Sequence, residues 1–361
     1  MLRVWRISGE ELAAVNAQEV SDVRDLKKIL RKLHGFPMCI QKLLHDGKAL
    51  DSSTKLDNPI DMQLVLLSLS SLAQQEEAAN ELTAYACEHG HVDCARMLLE
   101  AGAKPDLKDE FGDTPLMCAV QNDHVEIARL LLESGADKDL QDKYGKTALM
   151  YAVRHDHLEI AKLLLQAGAD KDLQGKHGMT ALMCAARNGN ANTVHLLLTA
   201  GSNKDIQDRC GKTALMHAAR NDHVEIAGLL LEAGADKDLH DEFGVTALTR
   251  AALNGRVETA RLLLEAGASK DLQDRSGKSA LMHAARNGHM DAARLLLEAG
   301  ASKVLRDDSG ETALLCALNN GHKATARLLL EAEEDKSLQE KLSYTAPMHA
   351  PDPAEALCSS W

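Results

Sequence analysis

The chain has 361 residues, of which 45% are hydrophobic but only 2% aromatic, and its formal net charge is -13. Many aliphatic side chains with few large rings favour contacts between helices over one wide globular core. The acidic balance disfavours a general nucleic-acid binder, because such proteins attract phosphates with excess lysine and arginine. The length predicts several domains or one elongated array.

The cysteine content and the length of the apolar runs predict the cellular compartment of the protein. Eight cysteines occur without any Cys-x-x-Cys pair, which in a long chain favours reduced thiols over a disulfide framework. The first residues lack the apolar run of a secretory signal, and the longest apolar run, 62–72, is too short to span a bilayer. We therefore expect an intracellular protein, either cytoplasmic or nuclear, with the cytoplasm as the first assignment.

Residues 1–72 form a nearly neutral segment that alternates between strand and helix patterns. Period-2 alternation marks the strands, Ser8-Gly9 supplies a hairpin turn, and Ser21-Asp22 caps an amphipathic helix. The predicted elements are strands at 1–7 and 12–15, a helix at 23–33, two short strands within 41–50 and a buried strand at 62–69.

This order of two strands, a helix and three strands resembles the ubiquitin (β-grasp) fold. The stretches 35–37 (Gly-Phe-Pro), 41–50 (Gln-Lys-Leu-Leu-His-Asp-Gly-Lys-Ala-Leu) and 63–66 (Gln-Leu-Val-Leu) carry the resemblance. It implies a small α+β ubiquitin-like domain over 1–72. The connection before residue 62 is shorter than in that family, and the segment ends without the Gly-Gly that is conjugated, so we expect a fixed module.

The ubiquitin-like resemblance also implies a binding surface. In that family an exposed apolar patch receives protein partners, and Leu44 and Val65 match two of its positions, whereas Ser8 replaces the third, a leucine. The alternative for these residues is ordinary packing in a divergent domain. Residues 73–80 are polar and alanine-rich, and we expect a short helical linker there.

A 33-residue period governs the rest of the chain, which is typical of stacked repeats. In each unit a polar turn leads to a threonine N-cap and a short helix, and a second helix with a broad apolar face ends at a glycine. One unit cannot bury its own apolar faces, but stacked neighbours can. The period is marked by glycines at the turns, namely Gly112, Gly145, Gly178, Gly211, Gly244, Gly277 and Gly310.

These units resemble the ankyrin repeat, whose motif is Asp-x-x-Gly-x-Thr-Pro-Leu-His-x-Ala-Ala. The fold class we predict is mainly α: a solenoid of about eight ankyrin repeats over 81–350, with a truncated last unit at 345–350 and a tail at 351–361. In the family the motif histidine takes part in a hydrogen-bond network. Here a flexible apolar side chain should fill that gap, because the position is methionine at Met117, Met150, Met183, Met216 and Met282.

The end units depart from the pattern. Glu81 stands where the first unit should have its threonine cap, and Glu333 stands where the eighth unit should have its glycine. Repeat arrays need atypical end units that tolerate water, so we interpret both as caps or fraying ends.

Variable positions predict where partners bind, because in the ankyrin family these lie on the loop tips and at the end of the first helix. Phe111, Tyr144 and Phe243 occupy the tip position before the glycine, and exposed aromatic rings are candidate interface anchors. Packing between adjacent tips is the alternative.

A second variable set is basic. Basic residues follow the first helix, follow the tip glycine and sit in the tips, which predicts an acidic protein or peptide partner. The alternative for the first-helix arginines is favourable interaction with the helix dipole. The set comprises Arg154, Arg187, Arg220 and Arg286; Lys146, Lys212 and Lys278; and Lys143, Lys176, Arg209 and Arg275.

No catalytic or cofactor pattern emerges. Six of the sixteen histidines share one repeat position, which the period explains better than a metal does, and no glycine-rich phosphate loop or hydrolase motif occurs. We therefore predict no enzyme activity, cofactor, metal, small-molecule substrate, nucleic acid or membrane partner. The expected protein is a monomeric adaptor whose repeats bind a client and whose N-terminal domain docks to a second partner of the ubiquitin system. The alternative is a scaffold in which that domain only caps the repeats.

Overall fold

The computed structural model of the chain describes residues 2–6, 8–56 and 60–333. The predicted half-unit at 345–350 and the tail at 351–361 lie outside these residues. The chain divides into two compact units, Met1–Ala169 and Asp170–Trp361. The boundaries predicted at residues 72 and 80 lie inside the first unit.

A small mixed sheet opens the first unit, and its strands are those that the alternating pattern predicts. The strand order is β2-β1-β5-β3-β4, in which β1 and β5 run parallel and the other neighbours antiparallel, for the strands β1 (Leu2–Arg6), β2 (Glu11–Val15), β3 (Gln41–His45), β4 (Lys48–Ala49) and β5 (Asp61–Leu66). The last strand starts one residue earlier and ends three residues earlier than predicted.

One helix, α1 (Val23–His34), covers a face of this sheet. It begins where the Asp22 carboxylate accepts the Asp25 amide at 2.9 Å, and it ends at Gly35, whose φ is 71°. The buried side of the helix is apolar and shares one core with the inward residues of the strands. That core comprises Leu2, Val4, Val15, Val23, Leu26, Leu30, Leu43, Leu56, Met62 and Leu64, among others.

Helices follow in both units as far as residue 333, where the described part of the chain ends. In the first unit they are α2 (Leu72–Glu81), a π-helical segment (Leu82–Cys87), α3 (Val92–Glu100), α4 (Pro115–Gln121), α5 (Val125–Glu133), α6 (Ala148–Arg154) and α7 (Leu158–Gln166). In the second unit they are α8 (Ala181–Asn188), α9 (Ala191–Thr199), α10 (Ala214–Asn221), α11 (Val224–Glu232), α12 (Ala247–Leu253), α13 (Val257–Glu265), α14 (Ala280–Arg286), α15 (Met290–Glu298), α16 (Ala313–Asn319) and α17 (Lys323–Glu333).

The local chemistry of one repeat shows why this helix pair recurs. Thr147 accepts the Met150 amide at 3.3 Å, which starts α6. Gly168 takes a φ of 79° after α7 and so stops that helix without the strain that a side chain would add. Ile160 and Leu164 are fully buried on the inner face of α7. As the sequence pattern predicts, α6 begins directly after the threonine cap and α7 ends just before the glycine.

The two atypical ends have different structures. Where the first repeat has Glu81 in place of a threonine cap, the chain runs from α2 directly into the π-helical segment. Where the eighth repeat has Glu333 in place of glycine, α17 continues through that residue and is two residues longer than the nine-residue α15. The absence of a glycine stop explains the longer helix. Within the described ranges, no helix combines the length and apolar character needed to cross a membrane.

Candidate protein-binding surfaces

An aspartate organises the tip loop of every described repeat from residue 109 onward except the one in which Gly175 takes its place. In the repeat that begins at residue 142, one oxygen of the Asp142 carboxylate accepts the amides of Tyr144 and Lys146, both at 2.7 Å. Asp208 and Asp274 bind the amides two and four residues ahead in the same way, at 2.9 Å. The aspartate thus fixes the loop and presents the two residues that follow it.

The first unit exposes two aromatic rings on adjacent tips. Phe111 is 64% exposed and Tyr144 is 61% exposed, although both are large apolar residues that are normally covered. The Lys146 ammonium lies 5.8 Å from the Tyr144 ring centroid, within the range of a cation–π contact. Lys143 is exposed on the same tip, and its ammonium donates to the Glu110 carbonyl. Aromatic and cationic side chains are therefore exposed together on these tips.

The third predicted tip aromatic is placed differently. Phe243 is half-buried in the second unit, and its carbonyl accepts the Arg275 amide of the next tip at 2.9 Å. Packing between adjacent tips, the alternative considered for these aromatics, describes Phe243 better than it describes the two rings of the first unit.

The first-helix arginines all lie at helix C-termini. Arg154 and Arg187 are exposed, whereas Arg220 and Arg286 are half-buried. The negative end of each short helix favours a cation there by about 0.3–1 kcal/mol. Lys176, Arg209 and Arg275, which sit in tips of the second unit, are also exposed.

The lysines that follow the tip glycines are less accessible than the sequence suggested. Lys212 is only 6% exposed, and the Lys278 ammonium lies 3.4 Å from the Asp307 carboxylate of the next repeat. The expectation that this variable position faces solvent is wrong for Lys212. The reason is the close approach of neighbouring tips: a Cβ placed on Gly211 would lie 2.7 Å from the Glu242 amide nitrogen.

Sequence reasoning missed a set of buried polar pairs. The second oxygen of the tip aspartate binds the side chain nine residues later, which lies in the first helix. The Tyr151 hydroxyl donates to Asp142 at 2.7 Å, and the His283 ring nitrogen lies 2.7 Å from Asp274. The same spacing joins Asp208 to His217 at 3.1 Å, and Asp241 to Arg250. The recurrence of Tyr, His, Arg and His at this spacing was the signal that could have revealed them.

These pairs also correct the expectation that methionine at the motif histidine position replaces the hydrogen-bond network of the ankyrin repeat. The methionines do fill the motif histidine position, since Met216 is 2% exposed and the other four are equally enclosed. A hydrogen-bond network nevertheless exists, because the residue immediately after the methionine supplies it. His217 is one such residue.

Burial shapes the titration of the pair between Asp208 and His217. Burial lowers the pKa of His217, and although the Asp208 carboxylate raises it, the nearby Lys212 and Arg187 add to the lowering, so the net shift is downward. Burial raises the pKa of Asp208, but hydrogen bonds from His217 and from backbone amides outweigh it and leave the pKa below its usual value. The His217 ring is therefore neutral while the Asp208 carboxylate beside it is ionised.

The histidines that recur before the second helix have a structural role. His223 and His289 place a ring nitrogen 3.2 Å and 3.0 Å from backbone carbonyls 36 residues earlier, at the end of the preceding first helix. His124 does the same toward Glu88 at 3.2 Å. The repeat therefore explains these histidines as links between neighbouring units.

In the N-terminal sheet, Leu44 and Val65 lie on the face opposite the core. Their neighbours Leu43 and Leu64 are buried and paired across β3 and β5, so alternation turns Leu44 and Val65 outward, where both are half-buried. Trp5 of β1 is aligned with Gln63 and shares this outer face. The face is thus partly apolar, and the sequence did not single out Trp5.

The N-terminal sheet is tied to the first repeat through Glu81. The side chain of this residue is only 8% exposed, accepts the amides of Met38 at 2.7 Å and Cys39 at 2.9 Å, and pairs with Arg31 at 3.3 Å. The Arg31 guanidinium also lies 4.0 Å from the Tyr85 ring centroid. The residue that breaks the repeat pattern is therefore an acceptor for the neighbouring module.

Two further contacts complete this junction. The Leu69 amide donates to the Ala101 carbonyl at 2.8 Å, and Met97 of α3 packs against the core of the sheet.

The comparisons with known proteins point to one family. A family model of ankyrin repeats in three copies matches residues 63–142, 83–175, 134–208, 182–274 and 266–341, which together cover more than half of the chain. The crystal structure of an ankyrin repeat domain from Acinetobacter baumannii is similar, with 34% sequence identity and a TM-score of 0.51; the match covers 53% of this chain and 99% of that one. Among curated proteins, no match was found.

Proposed function

The chain belongs to the ankyrin-repeat family, and on that premise we propose that it is a non-catalytic adaptor whose repeats bind a protein client. The observation that carries the proposal is the pair of uncovered rings on adjacent tips, Phe111 at 64% and Tyr144 at 61% exposure. Aromatic residues that can be buried by a partner dominate binding energy at protein interfaces. Three cations lie in the same unit, namely Lys143, Lys146 and Arg154, and the Lys146 ammonium lies 5.8 Å from the Tyr144 ring centroid.

The client that this surface fits is an acidic segment with apolar side chains. Apolar residues would cover the rings, and carboxylates would pair with the lysines and arginines, which favours association and register. In the second unit the exposed Lys176, Arg187, Arg209 and Arg275, with the half-buried Arg220 and Arg286, offer the same charge preference. Lys212 and Lys278 are enclosed and support the fold instead.

The aromatic surface is tested by selecting displayed peptides on the full chain and then measuring affinity for a double variant, Phe111→Ser with Tyr144→Ser. We expect enrichment of acidic peptides and at least a tenfold loss of affinity, about 1.4 kcal/mol. An unchanged affinity in a folded double variant would remove these rings from the client site.

The charge preference has a matched test. Arg187, Arg220 and Arg286 are changed to glutamate, and the control changes three exposed arginines of the second helices, Arg261, Arg294 and Arg327, which repeat with the same period. Both variants alter the net charge equally. Loss of acidic-peptide binding in the first variant alone supports the client site, whereas equal binding by both assigns the first-helix arginines to the helix dipole.

For the N-terminal module we propose a ubiquitin-like domain that docks to a partner of the ubiquitin system. Its element order supports this assignment, and the outward-facing Leu44 and Val65 support the docking surface. The test is capture of purified ubiquitin-binding domains by the full chain. Leu44→Glu should abolish capture, and Arg24→Glu on the exposed side of α1 should not. Equal capture by both variants would contradict docking through the surface that contains Leu44.

The alternative function, capping of the repeats, is favoured by one specific observation. Glu81 is enclosed at the junction and binds two backbone amides of the N-terminal module. If capping is the whole role of the module, its removal lowers stability and leaves client choice unchanged.

A further inference from the structure

The repeat that begins at Asp307 leaves a buried carboxylate oxygen without a hydrogen bond. One oxygen of Asp307 accepts the amides of Ser309 at 3.0 Å and Glu311 at 2.8 Å, as in the other tips. The other oxygen, Oδ2, is enclosed and accepts no hydrogen bond among the described residues. In four earlier repeats this oxygen binds Tyr, His, Arg or His nine residues ahead, but here that position is Cys316.

Two further groups that can ligate a metal converge on this oxygen. Asp307, Glu311 and Cys316 each offer one ligand atom, and these atoms lie within 4.8 Å of one another. Asp307 and Cys316 are buried, whereas Glu311 is partly exposed and opens the cluster to solvent. The Cys316 thiol lies 3.7 Å from one Glu311 oxygen, and Asn319 donates to the other at 2.6 Å. Among the described His, Cys, Asp and Glu residues, no other group of three is this close.

Among the described residues, a single ion pair joins this cluster to a cation. The Lys278 ammonium, 3.4 Å from Asp307 Oδ2, is the counter-ion that the structure places there, against two carboxylates and a thiol. A divalent ion would balance two carboxylates and a thiolate better than one ammonium does.

We propose that Asp307, Glu311 and Cys316 bind a divalent transition metal of the zinc class. A thiolate with two carboxylates selects zinc-like ions over magnesium or calcium, which prefer oxygen ligands alone. At bond lengths of about 2.0–2.3 Å, tetrahedral ligands stand roughly 3.3–3.8 Å apart. The three ligand atoms lie within 4.8 Å of one another, so a small inward movement of the side chains would close the site around an ion. Water would complete the coordination, the thiol proton would pass to solvent, and the Lys278 ammonium would turn outward.

The test uses Co²⁺ as the probe on the reduced full-length chain. Cobalt bound to a thiolate shows a sulfur-to-cobalt charge-transfer absorption in the near ultraviolet, and Zn²⁺ should remove it by displacement. We expect one equivalent of Co²⁺ to give this band. The control is Cys184→Ser, because Cys184 holds the same repeat position in a unit with Gly175 and Met179 at the two carboxylate positions.

The outcomes separate a metal site from a packed acidic cluster. The proposal requires that Cys316→Ser lose the band, that Cys184→Ser keep it, and that Glu311→Gln weaken Co²⁺ binding at least about tenfold. Lys278→Ala should tighten binding, because it removes the competing ammonium. Absence of the band in the unaltered chain, or its persistence in Cys316→Ser, would overturn the proposal. Far-ultraviolet circular dichroism checks the fold, and Glu311→Gln supplies a test that leaves the buried thiol in place.

Discussion

At the residue scale, the tip aspartate joins two levels of the repeat. One of its oxygens fixes the loop by accepting two amides, and the other binds a side chain of the first helix, as Asp208 does with His217. Buried polar groups that satisfy one another in this way hold a loop in one geometry, whereas removal of one partner leaves the other unsatisfied at about 1–3 kcal/mol. The identity of the ninth residue therefore determines how each repeat responds to substitution and to pH.

The pair between Asp208 and His217 predicts a loss of stability in acid. The folded-state pKa of His217 is lowered, so its contribution is fully present above the unfolded-state pKa of about 6.5. As the pH falls through that value, the unfolded chain binds the proton more readily, and stability is lost. His217→Gln should therefore flatten the decline in urea midpoint between about pH 7.5 and about pH 5.5.

His195, which is exposed on α9, gives the matched control. A His195→Gln chain should keep the pH dependence of the unaltered protein. If His217→Gln keeps it as well, the buried ring does not contribute to acid sensitivity.

Tip glycines differ in what surrounds them, which predicts unequal effects of one substitution. Gly211 and Gly310 have φ values of 78° and 76°, so alanine at either site should cost about 1–2 kcal/mol. A Cβ at Gly211 would also meet the Glu242 amide nitrogen at 2.7 Å, whereas a Cβ at Gly310 would meet nothing within 4 Å. We expect Gly211→Ala to lose a further 1–3 kcal/mol or so of unfolding free energy. Urea denaturation of both variants measures the difference. Equal losses would show that the neighbouring tip shifts to accept the added Cβ at little cost in stability.

At the element scale, the start of the repeats is specified by a departure from the repeat pattern. A threonine at position 81 would only cap a helix, but Glu81 reaches the Met38 and Cys39 amides that follow α1. The carboxylate thereby couples α2 to the N-terminal module. At the other end, Glu333 permits α17 to continue where a glycine would have stopped it.

The junction predicts a large effect of Glu81→Ala on stability. The substitution leaves two amides and the Arg31 guanidinium without their acceptor, and we expect a loss of about 1–3 kcal/mol. Hydrogen exchange should accelerate at Met38 and Cys39. The matched variant Glu77→Ala, at an exposed position of the same helix, should change stability by less than about 0.5 kcal/mol. Similar exchange in both variants would contradict the coupling.

At the whole-molecule scale, the N-terminal module and the first repeats belong to one compact unit, Met1–Ala169. Met97 packs on the core of the sheet, and the Leu69 amide bonds the first repeat, so the repeat relies on apolar surface that the module supplies. In repeat proteins a terminal unit that loses its neighbour is the first to unfold.

Removal of residues 1–69 should therefore destabilise the first repeat before the others. We expect limited proteolysis to cut within 72–100 of the shortened chain while a fragment that contains 170–333 persists. Client-peptide affinity measured on the same chain separates the two roles of the module. Unchanged affinity with lower stability supports capping alone, whereas full resistance to protease would show that the junction contributes little.

The repeat itself was predictable from the chain because its signals are local. Spaced glycines, threonine caps such as Thr147 and the apolar face of α7 act over a few residues, and the ankyrin repeats they predicted are confirmed. The N-terminal strands and α1 were predictable for the same reason. The client residues remain predictions, since their exposure shows access to a partner and not its presence.

The sequence by itself determined the period, the helix bounds and the family, because backbone caps and apolar periodicity require no knowledge of distant neighbours. Only the tertiary structure decided which variable positions are accessible. Lys212 is enclosed while Arg187 is exposed, because one tip lies against the next across a full repeat. The same stacking of residues far apart in sequence brings Lys278 to the carboxylate of Asp307, where Glu311 and Cys316 also converge.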